Sequence, residues 1–190
     1  MNRIFIIFLT LLTCNIFCQD TIFRFEEEPL TGKIVFIDNN IILYNKNNFI
    51  KDIPTEVVFG YKKDNKLSIL YKENKQPFSK IQMNDYVTGR TKGYQDHTPG
   101  IPFAIGFFSS YFYTYYNTRG LTRNPKFSSL VFTAVPSIVF TYVKPKANKK
   151  WSLEKRTGYQ LSRSEKNQVS SWWGAVLGTA TIFTLYFSSN

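Results

Sequence analysis

Short apolar runs separated by polar turns fill residues 19–82. The runs are rich in Ile, Val, Phe and Tyr, a composition that favours β-strands. Asp38-Asn39-Asn40 and Asp64-Asn65-Lys66 each separate two runs, as the turns of β-hairpins do. The pattern predicts a small antiparallel sheet or barrel of five or six strands. Its expected core includes Ile34, Phe36, Ile42, Val58 and Ile69.

The pattern changes after residue 97, where three stretches without charged residues follow: 98–118, 127–143 and 167–190. A helix rises ~1.5 Å per residue, so ~20 residues reach across the hydrocarbon core of a bilayer. A core helix of a protein in water normally keeps a charged face over such a length. We therefore predict an α+β protein. The β module is followed by a linker over 83–97 and by a region over 98–190, in which two or three apolar helices with basic loops span a membrane.

Small residues recur in these stretches at a spacing of four. In lipid, this spacing lets two helix backbones approach closely. It therefore predicts helix packing, either between copies of the chain or against another envelope protein. The residues expected at such contacts are Gly106, Ser110, Thr114, Ser129, Thr133, Ser170, Gly174 and Gly178.

Aromatic residues gather near the ends of the same stretches. Trp and Tyr rings favour the boundary between hydrocarbon and water, because one edge is apolar and the other is polar. The residues expected at this boundary are Tyr115, Tyr116, Tyr142, Trp172, Trp173 and Tyr186.

Two alternatives to membrane helices stay open. The stretches are rich in Ser, Thr and Tyr, and the mean hydropathy of the chain is slightly negative. Such a composition also fits helices packed within a soluble or peripheral protein. The runs "TIFTLYF" and "FFSSYFYTYY" have high strand propensity, so strands are the second alternative.

The formal net charge of +11 comes mostly from the second half, since residues 19–97 hold 12 basic and 11 acidic side chains. Basic clusters that flank uncharged stretches suit contact with anionic lipid or a cell-wall polymer. Nucleic acid is disfavoured as a partner, because its binders more often place basic and aromatic residues on one folded face. The residues expected to form the anionic-binding surface are Lys144, Lys146, Lys149, Lys150, Lys155 and Arg156.

The positions of the basic clusters constrain the topology. The positive-inside rule places residues 119–126 in the cytoplasm if all three stretches span, but the more basic segment 144–166 then lies outside. Either only two stretches span, or the membrane is an outer membrane, where the rule does not apply.

The N-terminal residues 1–18 are typical of a secretory signal peptide, with Arg3 before an apolar run from Ile4 to Leu12. Cleavage after Cys18 is expected, and it would leave a chain without cysteine. Lipidation of Cys14 and an uncleaved N-terminal anchor are the rival interpretations. We therefore expect an exported protein at the inner or outer membrane of the cell envelope, with its β module in the periplasm.

Catalytic and metal-binding patterns are not recognisable in the sequence. His97 is the sole histidine, and one histidine without cysteine cannot supply a typical zinc site. We interpret His97 as a polar residue at the edge of the membrane region. We expect no enzyme activity, no cofactor and no metal.

The segments "DTIFRFEEEPLTGKIVFIDNNIILY" and "DIPTEVVFGYKKDN" resemble the opening of small exported envelope proteins of unknown function from Bacteroidetes-type bacteria. The chain departs from their pattern at Glu26, Glu27 and Glu28, where a turn glycine is expected. The resemblance implies an envelope location and carries no activity. The residues that carry it are Asp20, Ile22, Gly32, Lys33, Val35, Tyr44, Ile53, Val57, Tyr61 and Asn65.

Together these patterns predict a non-enzymatic protein of the cell envelope, with a β module tethered to a membrane by packing helices. Two other functions stay open. One is a soluble periplasmic binding or assembly factor whose apolar helices pack on the sheet, and the other is a basic peripheral binder of anionic lipid or cell-wall polymer.

Overall fold

The computed structural model describes residues 20–73, 78–118 and 134–189. The chain divides into two compact units, one ending at Val87 and the other beginning at Thr88. The fold is α+β, with a six-stranded antiparallel sheet followed by helices, as predicted. The predicted signal peptide over 1–18 lies outside the described residues, and so do Ser129 and Thr133.

The sheet has the strand order β4-β3-β2-β1-β5-β6. A 3₁₀ turn over Thr55–Val57 joins β4 to β5, which are four strand spacings apart in this order. Four spacings amount to ~19 Å in a flat sheet. The chain from Pro54 to Val58 reaches at most ~14 Å, so the sheet must be rolled. The strands are β1 (Asp20–Arg24), β2 (Leu30–Ile37), β3 (Ile41–Lys46), β4 (Phe49–Pro54), β5 (Val58–Lys63) and β6 (Lys66–Ile69).

Two hairpin turns have positive φ at both central residues, as type I′ turns require. Asn47 and Asn48 have φ of 55° and 66° between β3 and β4. Asp64 and Asn65 have φ of 49° and 63° between β5 and β6. Asn and Asp tolerate this left-handed region better than other residues with a side chain. The second turn was predicted, whereas the first was missed.

The rolled sheet encloses an aliphatic core, and Ile34, Ile42 and Val58 are buried in it as predicted. The prediction for Phe36 was wrong, because its side chain is 52% exposed. A β-bulge shifts the register between Ile34 and Phe36, so that Phe36 pairs with Leu43 and Ile37 pairs with Ile42. The extra residue reverses the in-and-out alternation, which moves Phe36 to the outer face.

Helix α1 (Lys80–Gln95) replaces most of the linker expected over 83–97. Its start is a reciprocal capping box, since Ser79 N–H donates to Gln82 Oε1 and Gln82 N–H donates to Ser79 Oγ. Met83 and Val87 in the first half of α1 bury against a second apolar cluster of the sheet unit. The other members of this cluster are Phe59 and Tyr71, with Phe23, Phe25, Ile69 and Tyr86 packed around them.

The unit that begins at Thr88 contains α2 (Gly100–Asn117), α3 (Val135–Tyr142) and α4 (Leu153–Ser189). Pro136 lies in the first turn of α3, where a missing N–H costs nothing, so it starts this helix. Helix α4 has 37 residues, ~55 Å, and includes 153–166, which we expected to belong to a basic loop. None of the described helices is both long enough and apolar enough to cross a membrane.

Candidate functional site: a small-residue helix contact with an apolar exterior

Helices α2 and α4 run parallel and touch through their backbones. A Cβ atom added to Gly106 would lie 2.0 Å from the carbonyl oxygen of Ser171. One added to Gly174 would lie 2.1 Å from the carbonyl oxygen of Phe103, and Gly178 meets Phe107 in the same way. Real Cβ contacts are essentially never this short, so the helices can approach this closely only because Gly106, Gly174 and Gly178 lack a side chain.

The same contact buries hydroxyl side chains. Ser110 and Thr114 of α2 and Ser171 and Thr179 of α4 are each at most 3% exposed. Among the described residues, none of their hydroxyl groups has a hydrogen-bond partner. The interior of this helix pair is therefore made mainly of glycine and small residues, although Ile182 of α4 is also fully buried.

Ser170 does not lie at the contact, where the sequence predicts it. Its hydroxyl lies 3.0 Å from His97 Nε2, and Ser171 occupies the contact position. A helix turns 100° per residue, so steps of four drift around it and a contact stripe alternates steps of three and four. The stripe on α4 therefore follows Ser171, Gly174, Ala175, Gly178, Thr179 and Ile182.

Large apolar side chains point away from this contact. Trp173 is 54% exposed and Phe112 is 53% exposed, whereas the contact itself holds hydroxyls. A helix packed in water shows the opposite distribution, with its apolar stripe inward and its polar face outward. The apolar exterior consists of Ile101, Ile105, Phe108, Phe112, Tyr115, Tyr116, Val135, Ile138, Val139, Val143, Val169, Trp172, Trp173, Leu177, Leu185 and Phe187.

Aromatic residues lie towards both ends of this exterior. Trp172 and Trp173 are exposed near the start of the uncharged part of α4, with ring centroids 5.1 Å apart. Tyr115 and Tyr116 are exposed at the end of α2, and Tyr186 is half-buried near the end of α4. Because α2 and α4 are parallel, the three tyrosines share one end. The side chain of Tyr142, the other tyrosine predicted at this boundary, is not among those that the structure describes.

A polar cluster that sequence reasoning missed joins α1 to α4. Arg90, only 3% exposed, donates from its two terminal nitrogens to both carboxylate oxygens of Glu165, at 3.2 and 2.8 Å. The Tyr94 hydroxyl accepts from Arg90 at 2.6 Å and donates to Glu165 at 2.8 Å. Burial and the hydrogen bond to Glu165 raise the pKa of Tyr94 to about 12. The four-residue spacing of Arg90 and Tyr94 on α1 was the signal available in the sequence.

His97 extends this polar layer towards the apolar region. Its Nδ1 lies 3.1 Å from Asn167 Oδ1, and its Nε2 faces Ser170. The residue therefore links the segment between α1 and α2 to α4, at the point where charged residues end on α4. In the described part of the chain, no group of three or more His, Cys, Asp and Glu side chains could hold a metal ion.

The basic residues predicted to form an anionic-binding surface lie in two structural settings. Lys144, Lys146, Lys149 and Lys150 are exposed in the segment that joins α3 to α4. Lys155 and Arg156 are half-buried in the first turn of α4. The first four lysines are therefore accessible to a partner.

Comparisons with protein-family models, with curated proteins and with solved structures return no match for this chain. The resemblance to exported envelope proteins therefore stays a prediction.

Proposed function

We propose that this chain is a non-enzymatic protein of the cell envelope whose helical unit is embedded in a membrane and tethers the sheet unit to it. The proposal assigns the α2–α4 contact to helix packing within one chain, and it assigns the apolar exterior to contact with lipid. It adopts the envelope location that the signal peptide and the resemblance imply.

The single observation that carries the proposal is which side chains are buried in the helical unit. Small residues are mostly inside and large apolar residues are mostly outside, the opposite of a helix pair in water. Glycine and the hydroxyls of Ser110, Thr114, Ser171 and Thr179 are inside, and Ile182 is buried with them, whereas most of the large apolar side chains of these helices are exposed. In water, each large apolar side chain left outside forgoes about 1.5–3 kcal/mol of burial free energy. Against hydrocarbon the same side chains lose nothing, and helices associate through small residues and close packing.

The hydropathy of these helices is compatible with this proposal when the two faces are considered separately. An average over a whole helix includes its buried hydroxyls and glycines, such as Ser110 and Thr114 of α2. Those residues face α4, so lipid would meet only the outward set. We therefore expect the packed helices to enter the membrane together, since the contact shields their polar face.

Membrane extraction of the full-length chain tests the proposal. We expect the protein to stay in the membrane fraction after alkaline carbonate and high-salt washes and to need detergent for release. Release by carbonate with a monodisperse, detergent-free preparation would favour the soluble periplasmic factor. Release by salt alone would favour the peripheral binder of anionic surfaces.

A matched pair of variants makes this test specific to the apolar exterior. The change F108S/F112S puts hydroxyls on the outward face of α2, and we expect it to weaken membrane retention. The control V35S/F36S makes the same kind of change at exposed positions of the sheet unit and should leave retention unchanged. Equal retention of the two variants would contradict lipid contact by α2.

A further inference from the structure

The segment between α3 and α4, residues 143–150, carries four exposed lysines and no acidic residue. We propose that this basic strap binds the phosphate groups of anionic lipids and so fixes which leaflet the helical unit faces. The inference rests on the proposed membrane function and adds the chemistry of the lipid that is recognised.

One hydrogen bond holds the strap against α4, and a second holds the end of α3 just before it. The Gln160 amide donates from Nε2 to the carbonyl oxygen of Pro145 at 3.1 Å. One helical turn further along, the Ser164 hydroxyl donates to the carbonyl oxygen of Phe140 at 2.7 Å, just before the strap begins. Lys144 and Lys146 flank Pro145, so their backbone positions are defined by the first bond.

This attachment places the lysines at the level of lipid headgroups. Gln160 precedes Asn167, the first residue of the uncharged part of α4, by ~10 Å along the helix. The headgroup layer on each side of the hydrocarbon core is ~5–8 Å thick. With α4 along the bilayer normal, flexible lysine side chains next to Gln160 reach this layer.

The cations of the strap are available for an external anion. In the described part of the chain, no carboxylate pairs with Lys144, Lys146, Lys149 or Lys150. Arg156 lies one turn before Gln160, on the face of α4 that holds the strap, and its Nε is buried without a hydrogen-bond partner among the described residues. Lys155 makes a cation–π contact instead, since its ammonium lies 5.1 Å from the centre of the Trp151 ring. The unmatched positive charge points to a phosphate ligand.

Lipid binding by the full-length chain in a neutral detergent tests the inference, with native mass spectrometry as the readout. We expect short-chain phosphatidylglycerol to bind at least about fivefold better than phosphatidylcholine, the ratio expected from one lysine near an anionic headgroup. The variant K144Q/K146Q/K149Q/K150Q should lose this preference. The matched control K46Q/K62Q/K63Q/K66Q removes the same charge from the sheet unit and should keep it.

Each other outcome overturns the inference. Equal binding of the two lipids by the wild type would do so, as would equal loss of preference in both variants. Inorganic phosphate is the competitor at matched ionic strength. If it displaces phosphatidylglycerol more effectively than chloride does, the strap binds free phosphate and the assignment to lipid is wrong.

Vesicle flotation separates this inference from the proposed function. Carbonate-resistant insertion into vesicles of either lipid, without a preference for phosphatidylglycerol in detergent, leaves the membrane anchor standing and rejects the role of the strap. Binding to phosphatidylglycerol vesicles that salt reverses completely retains phosphate binding by the strap, but rejects the anchor and the leaflet role that rests on it.

Discussion

The sheet unit and the helical unit bury different kinds of side chain in their interiors. Inside the rolled sheet, Ile22 and Ile42 are completely buried and branched aliphatic side chains fill the space. Between α2 and α4, backbones touch at Gly106 and Gly174, and most of the large side chains point outward. The hydrophobic effect stabilises the first interior in water, because folding removes apolar surface from solvent. The second gains little from that effect, and it is stable only where close backbone packing outweighs apolar burial.

The substitution expected to reduce stability most is G174A, in the contact between α2 and α4. In G174A the added methyl group would overlap the carbonyl oxygen of Phe103, so α2 and α4 must separate. We expect the helical unit to lose at least about 3 kcal/mol of stability. Thermal unfolding in detergent, followed by circular dichroism, measures it.

The control for this change is G100A. No heavy atom lies within 4 Å of a Cβ added there, and the residue opens α2. We expect its stability to be unchanged or slightly raised, since alanine favours a helix over glycine. Similar unfolding temperatures for both variants would show that the backbone contact does not hold the helices together.

The next largest effect is expected in the sheet unit. In I42A a fully buried aliphatic side chain is truncated, which costs about 3 kcal/mol through lost burial and the cavity that remains. F36A removes a larger side chain from the outer face and should cost less than about 1 kcal/mol. Denaturant unfolding of each variant measures the difference, and a greater loss in F36A would place Phe36 in a contact that the sheet does not show.

A smaller effect is expected at the polar cluster between α1 and α4. R90A removes the buried partner of Glu165, and we expect a loss of about 2 kcal/mol, reduced from the value for fully buried pairs because the Glu165 side chain is 47% exposed. K92A removes an exposed lysine paired with Asp96 and should change stability by less than about 0.5 kcal/mol. Equal losses in thermal unfolding would argue that burial of Arg90 has no energetic consequence.

The smallest effect is a pH dependence at Tyr94. Burial, followed by the hydrogen bond to Glu165, raises its pKa to about 12, whereas an unfolded tyrosine titrates near ~10. The folded state holds the phenolic proton more tightly, so its contribution to stability is complete below pH ~10 and is lost as pH rises towards 12. Burial also raises the pKa of Tyr71, so a titration of phenolate absorbance should show late-titrating tyrosines, one of which is absent in Y94F. If Y94F loses none of the late phenolate absorbance, Tyr94 does not titrate late and the prediction is wrong.

Several elements could be read from the sequence because their cause is local. Two of the four hairpin connections, β2–β3 and β5–β6, were predicted from Asp and Asn residues, and the strands from their β-branched runs. The capping box at Ser79 and Gln82 was also legible, and with it α1 could have been predicted over the supposed linker. Phe36 could not be placed, since the bulge before it depends on pairing with β3.

The sequence predicted which residue types form the candidate site, but not how they are arranged. Small residues at a spacing of four indicated close helix contacts, and Gly106, Gly174 and Gly178 lie in one. The sequence did not indicate that both sides of the contact belong to the same chain, nor that Ser171 in place of Ser170 faces α2. The ion pair of Arg90 with Glu165 joins residues 75 positions apart, a separation that no local pattern encodes.

By itself, the sequence determined the strands, the turns, the uncharged stretches and the supply of small residues. These follow from backbone preferences and side-chain chemistry within a few neighbouring residues. Only the tertiary structure decided which faces meet, that α2 and α4 lie parallel, and that the hydroxyls of Ser110, Thr114, Ser171 and Thr179 face inward while Phe112 and Trp173 face outward. Those outcomes depend on contacts between distant segments, whose free energy exists only once the chain has brought the segments together.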